Sequence, residues 1–207
     1  VDLSFVLRAF SNGTDGVFIG GCHLNECHYI TNGNHHAYGM VQLCKKLLKH
    51  IGLDPERLRI DQMSAGEGIR FAEIMNDFSK KVRELGPLGK GEGINPDGLK
   101  FKFEAIEKLI PYIRLVERER LRVRCNTAEE YERFFNSDEV NRLFSELILD
   151  KLAISQIMAL LRAKPRTTGE ISEILGMAPS EVSKHLNISA RQELARFDES
   201  LKRFVAA

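Results

Sequence analysis

The sequence lacks several features that would assign it to a familiar class of protein. It contains no Trp and only four Cys and six Pro in 207 residues, and no apolar run approaches the roughly 20 residues that cross a bilayer. The first residues form no apolar leader, so we expect no membrane span, no secretory signal and a cytoplasmic location. The formal net charge is only +1, and without a basic excess we do not expect nucleic acid as a partner.

What is present is a globular composition, with 43% hydrophobic and 29% charged residues, patterned first as alternating helices and strands. The apolar spacing predicts helices over residues 3–10, 38–50 and about 67–85, and strands over residues 17–19 and 58–63. We expect the first strand to be buried on both faces. This alternation predicts a parallel sheet with crossover helices. Two strands make a poor sheet and the chain opens with Val1 rather than Met, so we expect further strands upstream of Val1 or from another subunit.

Residues 86–98 are rich in glycine and proline, and the pattern that follows them is helical. We therefore predict an α/β domain over residues 1–86, a linker over residues 87–99 and a helical domain over residues 100–207. The Gly-Lys-Gly run at residues 89–91 lacks the Gly-Lys-Ser/Thr ending and the preceding strand of a phosphate loop. We do not expect this run to bind phosphate.

Cys22 and Cys27 are the most informative residues of the sequence. Cys22 directly follows the first predicted strand, at the end where open α/β sheets place their ligands. Gly20 and Gly21 precede it and allow the backbone to approach a bulky group closely. Four residues separate the two cysteines, so a loop can turn both sulfurs toward one centre, and thiolates ligate both iron–sulfur clusters and structural zinc. Free thiols or a redox disulfide are the alternative.

Two cysteines do not complete a metal site, since a [2Fe–2S] cluster or a structural zinc usually has four ligands. Cys44 falls on the apolar stripe of its predicted helix, and we interpret it, like Cys125, as a small buried hydrophobe. The Cys-x-His spacing of a Rieske centre is absent, because each nearby histidine directly follows its cysteine or lies further along the chain. We therefore favour supporting roles over metal ligation for the clustered histidines: His23, His28, His35 and His36.

The helical half contains a pattern that resembles a helix-turn-helix at about residues 168–190, with a short turn at Gly176 and apolar residues at core spacings. Residues 151–207 carry nine Lys and Arg against six Asp and Glu, a mild excess of +3. We therefore prefer packing or subunit docking to DNA binding for this motif. The predicted fold is a partial flavodoxin-like α/β domain followed by an all-α domain with a helix-turn-helix.

The first part of the chain resembles the delta subunit family of methyl-viologen-reducing hydrogenase, which includes related iron–sulfur subunits of heterodisulfide-reductase-type complexes. The resemblance covers about residues 1–87. It rests on the Gly-Gly-Cys-His run ending at His23, on the Cys-His-Tyr run ending at Tyr29, and on shorter matches at residues 1–2, 5–10, 15–17, 64–65, 67–68 and 83–87.

This resemblance implies an electron relay rather than an enzyme that acts on a substrate. Such subunits carry a [2Fe–2S] cluster and pass electrons from a hydrogenase or formate dehydrogenase to a flavin-containing heterodisulfide reductase subunit, where electron bifurcation occurs. In the family a segment with further cysteines precedes the Val-Asp that corresponds to Val1 and Asp2. Cys22 and Cys27 would then supply half of the ligand set. The rival functions are a redox-sensing transcription regulator that uses the helix-turn-helix and a zinc-stabilised scaffold.

Overall fold

The structure is a computed structural model that describes residues 1–29 and 32–207. It divides into two compact units, Val1–Asn141 and Arg142–Ala207. Among the described residues, no helix combines the length and the apolar character that crossing a membrane would require.

The first unit is a mixed α/β structure in which helices predominate. Its helices are α1 (Leu3–Ser11), α2 (Asn34–His50), α3 (Gly68–Leu85), α4 (Pro96–Val116) and α5 (Ala128–Phe135), and its strands are β1 (Val17–Gly21) and β2 (Leu58–Gln62). A 3-10 turn at Pro55–Arg57 leads into β2, and a π-helical turn at Glu117–Leu121 extends α4. Helix α6 (Asp138–Leu143) begins at the end of this unit.

Strands β1 and β2 are parallel neighbours, with Val17 opposite Leu58 and Gly21 opposite Gln62. Helix α2 is the crossover between them, which confirms the predicted strand–helix–strand order and the predicted parallel pairing. The carboxyl ends of both strands therefore lie at the same edge of this small sheet. The chain leaves β1 at that edge directly into Cys22.

The core of the first unit lies around α2, which contacts α1, α5 and β2, while α1 also packs against α4. The apolar residues of α1 are buried as their spacing predicts: Leu3, Val6, Leu7 and Phe10. Helix α2 is buried over most of its length and begins at Asn34 rather than at the predicted Tyr38. An earlier start follows from the burial of Asn34 and His35, two polar residues that the apolar stripe did not include.

The expected burial of β1 on both faces is wrong. Ile19 is buried, but Val17 and Phe18 remain partly exposed. Helix α3, which follows β2, buries only Ile74 and Phe78. A two-stranded sheet with so thin a cover cannot enclose both faces of β1.

Residues 87–99, predicted to be a linker, lie inside the first unit, and the structure divides between residues 141 and 142. The cause is Arg57, whose side chain is completely buried. Its Nε donates to Glu92 Oε1 over 2.5 Å, and its Nη1 donates to the carbonyl of Gly86 over 2.9 Å. The segment therefore folds around the Arg57 guanidinium within one compact unit. Helix α4 then packs against α1.

The second unit contains a π-helical turn at Phe144–Leu149, helices α7 (Asp150–Ala163), α8 (Thr168–Leu175) and α9 (Pro179–Arg191), and strands β3 (Ala195–Asp198) and β4 (Arg203–Ala206). The expectation of an all-α domain is wrong, because β3 and β4 pair as an antiparallel hairpin. A backbone bridge between Arg166 and Phe204 ties the hairpin to the segment before α8. Each strand has four residues with little burial. The sequence therefore shows no long alternation of apolar and polar residues that would have predicted these strands.

Helices α8 and α9 are joined by a short turn. A capping box between Thr167 and Glu170 begins α8, and Gly176 ends it in the left-handed conformation, with φ of 65°. Pro179 then opens α9, at the first helical position that suits proline. The apolar side chains that hold the pair together are completely buried: Ile171, Val182 and Leu186.

Candidate metal centre

The cysteine loop, residues 22–29, follows β1 at the carboxyl edge of the sheet. It turns back on itself at Asn25, which adopts a left-handed φ of 70°, and Glu26 N donates to His23 O over 3.1 Å. This turn brings Cys22 and Cys27 together, because the thiol of Cys22 donates a hydrogen bond to the sulfur of Cys27. Both are free cysteines with partly exposed side chains.

A cavity of about 190 Å³ adjoins the two sulfurs. It lies where the carboxyl ends of parallel strands leave a crevice, the usual ligand position in an open α/β sheet. Its walls are the ends of both strands, the two cysteines and the first turns of α2: Val1, Ile19, Gly20, Gly21, Cys22, Cys27, Asn32, Gly33, Asn34, Ala37, Tyr38, Ile60 and Asp61.

Backbone N–H groups surround the sulfur of Cys27. The amide of Asn34, at the start of α2, and the amide of Tyr29 both donate to it, and these bonds hold the pKa of the Cys27 thiol below its usual value. The hydrogen bond that Cys22 donates to Cys27 raises the pKa of Cys22 in turn. Of the two thiols, Cys27 is therefore the one that loses its proton more readily.

Side chains from two other elements fix the cysteine loop. Asn34 Nδ2 donates to the carbonyls of Cys22 and His23 over 3.1 and 2.6 Å. His23 Nε2 lies 2.6 Å from Glu67 Oε2, and the same carboxylate accepts from Ser64 N over 2.6 Å. The backbone bond from Ser64, followed by the contact with His23, lowers the pKa of Glu67 to about 2. Glu67 is thus an ionised anchor for His23 at neutral pH.

The other cysteines do not join this pair. Cys44 is completely buried on α2, as predicted, and burial raises the pKa of its thiol. Cys125 is partly exposed, so its interpretation as a buried hydrophobe is wrong. It follows Arg124, whose Nη2 lies 3.4 Å from Asn25 Oδ1 in the cysteine loop.

The histidines have partners other than a metal. His23 contacts Glu67, the Nδ1 of His35 lies 3.0 Å from the hydroxyl of Tyr131, and the Nδ1 of His36 lies 3.4 Å from Glu117 Oε1. Over residues 1–29 and 32–207, no three His, Cys, Asp or Glu side chains converge on a point where a metal ion would bind. Paired sulfurs on a cavity wall are a donor type that iron–sulfur clusters and structural zinc both use.

Gly33 and Asn34 are parts of this site that sequence reasoning missed. A Cβ built on Gly33 would approach the sulfur of Cys27 and the carbonyl of Tyr29 to well under 3.0 Å. The sequence signal for these residues is weak: a glycine and an asparagine at the start of a helix are typical of ordinary capping. Which sulfur they face is visible only in three dimensions.

Comparison with known proteins separates the chain into two parts. Residues 1–86 match the family described as methyl-viologen-reducing hydrogenase, delta subunit. Residues 155–188 match the family described as bacterial regulatory protein, arsR family.

Among curated proteins, the first part is similar to subunits of two kinds of complex. The iron-sulfur subunit of the F420-non-reducing hydrogenase of Archaeoglobus profundus is 46% identical over 88 residues, which are 42% of this chain and 64% of the relative. One subunit of the ferredoxin/F(420)H(2)-dependent CoB-CoM heterodisulfide reductase of Methanosarcina acetivorans is 47% identical over 89 residues, 43% of this chain and 11% of the relative. The vhc iron-sulfur subunit of the F420-non-reducing hydrogenase of Methanococcus voltae is 41% identical over 87 residues, 42% of this chain and 60% of the relative. The chain thus spans less than two thirds of each of these relatives.

Proposed function

Because residues 1–86 match the methyl-viologen-reducing hydrogenase delta subunit family, we propose that the chain is an electron-transfer subunit. It relays electrons through a [2Fe–2S] cluster from a hydrogenase or formate dehydrogenase to a flavin-containing heterodisulfide reductase-type subunit, whose flavin carries out electron bifurcation. The observation that carries this proposal is the pairing of Cys22 and Cys27 on a cavity at the carboxyl edge of the sheet.

Different residues of the chain would ligate the cluster and stabilise the charge on its ligands. Cys22 and Cys27 supply two thiolates, and two further thiolates complete the set. When bound, the cluster supplies a one-electron carrier. The amides of Asn34 and Tyr29 stabilise negative charge on the Cys27 sulfur, and hydrogen bonds to ligating sulfur tune the reduction potential of such sites. The order β1–α2–β2–α3 supports our proposal of a partial flavodoxin-like sheet as the rigid base.

We propose that the flavoprotein docks at the edge of the sheet that carries the cysteines. Tyr29 in the cysteine loop is 69% exposed, and Ile69 at the start of α3 is 81% exposed. Large apolar side chains so exposed around a site favour a protein partner over solvent. In the heterodisulfide reductase relative, the similar segment is 11% of a longer chain. In that relative the similar segment and the rest of the heterodisulfide reductase subunit are one chain. This supports a heterodisulfide reductase-type protein as the partner that docks at this edge.

The cluster assignment is tested by replacing one proposed ligand. Cys22→Ser should abolish or reshape the electron paramagnetic resonance signal of the reduced protein, purified anaerobically with its native partner subunits, because a hydroxyl oxygen is a poor substitute for a thiolate ligand. Iron and acid-labile sulfide should fall together. The matched control is Cys44→Ala, which removes a buried thiol remote from the loop and should leave the signal and the iron content unchanged.

An unchanged signal in Cys22→Ser would exclude Cys22 as a ligand. Zinc without iron or acid-labile sulfide in the unaltered protein would favour the zinc-stabilised scaffold instead. Co-purification with a hydrogenase or formate dehydrogenase and with a flavoprotein is the result expected for an electron-transfer subunit.

The docking proposal has its own test. Ile69→Asp places a charge on the proposed contact surface and should weaken binding of the flavoprotein about tenfold or more, since a desolvated unpaired charge is costly at an interface. Leu115→Asp is the control, because Leu115 is 46% exposed on α4. Equal binding by both variants would exclude this edge as the contact surface. Iron content should be the same in both.

A second candidate function is DNA binding by the second unit, as part of a redox-sensing regulator. The match of residues 155–188 to the arsR regulatory family favours it. So does the order of α8, a glycine turn and α9, which is the order of elements expected of a helix-turn-helix, with a hairpin following. The exposed face of α9 carries groups that can contact bases and phosphates: Ser180, Lys184, Asn187 and Arg191.

This candidate is tested by DNA retardation with a fragment from the region upstream of the protein's own gene. A regulator should bind at physiological salt, with affinity falling steeply as salt rises. Arg191→Glu on α9 should then weaken binding far more than Lys151→Glu, an exposed position on α7. Absence of retardation at physiological salt would leave packing or subunit docking as the role of the second unit.

A further inference from the structure

We infer that the sulfur of Cys27 caps the N-terminus of helix α2 and that Gly33 is the positioning residue that makes this cap possible. The inference concerns the protein's own hydrogen bonds. Its consequence for a bound cluster rests on the proposed function. Cys27 would then serve two purposes, as a ligand and as a structural part of the helix.

Helix α2 has no ordinary cap. Gly33 occupies the cap position and forms no side-chain hydrogen bond, although the helix runs for 17 residues. The first N–H groups of a helix have no partner within it, and Ser, Thr, Asp or Asn usually accepts one of them. Asn34 and His35, at the start of this helix, are buried, so water is a poor substitute.

The missing acceptor is supplied by Cys27. Its sulfur lies against the start of α2, less than 3.0 Å from where a Cβ on Gly33 would be, and the N–H of Asn34, the first residue of α2, acts on it as a hydrogen-bond donor. Gly33 N donates to the carbonyl of Tyr29 over 2.9 Å. The positive end of the helix dipole favours a thiolate at this position. Two backbone N–H groups at the start of the helix therefore bond the cysteine loop, one to sulfur and one to oxygen, beside the two bonds that Asn34 Nδ2 donates to the same loop.

Glycine at position 33 is required by this contact. A Cβ there would meet Cys27 Sγ and Tyr29 O at less than 3.0 Å. The carbonyl belongs to the backbone, so the clash cannot be relieved by rotating a side chain. Any larger residue must push the cysteine loop away from α2 and separate the sulfur from the Asn34 amide.

Other glycines near the site do not share this role. Gly21 precedes Cys22, yet a Cβ on it meets no protein atom within 4 Å. Gly39 lies on α2 itself, and a Cβ there would make an ordinary 3.7 Å contact with the ring of Phe135. Of these three glycines, Gly33 is therefore the one that lies against the sulfur of Cys27.

The experiment measures backbone hydrogen exchange of residues 34–36 in the full chain. Cys27→Ala should speed the exchange of the Asn34 amide about tenfold relative to Cys22→Ala, because an ordinary hydrogen bond is worth about that factor. Both variants remove one proposed cluster ligand, but only Cys27→Ala removes the cap. Equal exchange in the two variants would overturn the inference.

A second pair of variants tests Gly33. Gly33→Ala should speed the same exchange, and it should shift the reduction potential of any cluster that the protein holds, whereas Gly39→Ala should change neither. Exchange in Gly33→Ala as slow as in Gly39→Ala would overturn the positioning role. If Gly33→Ala fails to fold, the comparison of Cys27→Ala with Cys22→Ala still tests whether the Cys27 sulfur caps α2. If the unaltered protein contains no iron, the proposed function fails while the exchange comparison keeps its meaning.

Discussion

Two segments look alike in the sequence, since both combine glycines with polar residues near the ends of regular elements: residues 20–33, which include the cysteine loop, and the glycine segment, residues 86–93. In the first, Gly33 makes room for a sulfur against the start of a helix. In the second, Gly91 makes room for the guanidinium of Arg57, since a Cβ there would lie 3.2 Å from Arg57 Nη2. The cysteine loop remains partly exposed, whereas the Arg57 side chain has no exposure at all.

The group enclosed by each segment explains the difference. Arg57 has several fixed donors that only a ring of acceptors can satisfy, and it finds them in Glu92 and in the carbonyls of Asp15, Leu85 and Gly86. These bonds use the capacity of the guanidinium, so the segment is structural. The sulfurs of Cys22 and Cys27 hydrogen-bond each other and a few amides. Two thiols that face a cavity retain their capacity for a ligand.

The largest expected effect comes from Arg57→Gln. Removing one partner of a buried ion pair leaves Glu92 and several carbonyls without a donor, and the free energy of unfolding should fall by about 3–5 kcal/mol. Arg59→Gln is the control, because Arg59 is 31% exposed and pairs with surface carboxylates, and it should cost about 1 kcal/mol or less. Urea denaturation measures both. Similar losses of unfolding free energy in the two variants would mean that the buried contacts of Arg57 stabilise the protein no more than the partly exposed ion pairs of Arg59.

An intermediate effect is expected from Gly91→Ala. A Cβ on Gly91 would collide with the carbonyl of Leu85, one of the acceptors of Arg57, and such overpacking costs about 1–3 kcal/mol. Gly98→Ala, where a Cβ meets nothing within 4 Å in the first turn of α4, should instead stabilise by about 0.4–1 kcal/mol. Thermal unfolding of the two variants provides the measurement. A stable Gly91→Ala variant would contradict the tight enclosure of Arg57.

The smallest effect concerns pH. Burial opposes ionisation of Glu92, but the hydrogen bonds from Arg57 outweigh it and lower the pKa of Glu92 below its ordinary value of 4.5. A carboxyl with a depressed folded-state pKa contributes stability above its unfolded pKa and loses it as the pH falls through the folded value. Stability should therefore decline below about pH 4.5. The decline should be shallower in Glu92→Gln, and an identical acid profile would exclude the ion pair as its source.

Much of the first unit follows from apolar spacing. The stripe of α1, the strand–helix–strand order and the burial of Cys44 all depend on local periodicity and are confirmed. The pairing of Cys22 with Cys27 agrees with their position after a strand. Arg57 escaped prediction because a charged residue is normally exposed, and nothing local shows that acceptors from residues 85–92 surround it. The hairpin of β3 and β4 escaped because its strands are short and only Ala195 is buried.

Tyr131 shows that the fold around the cysteine loop extends beyond residue 86. Its ring stacks on Tyr38 with centroids 5.4 Å apart, and its hydroxyl bonds His35, one residue after the amide that Cys27 accepts. Phe135 covers Gly39 on the same helix. Cutting the chain after residue 86, where the family match ends, would remove Tyr131 and Phe135 and expose the side of α2 that they cover. The remaining fragment should aggregate. A protease that shortens the chain from its C-terminal side without disturbing the cysteine loop should therefore cut at a position after Phe135.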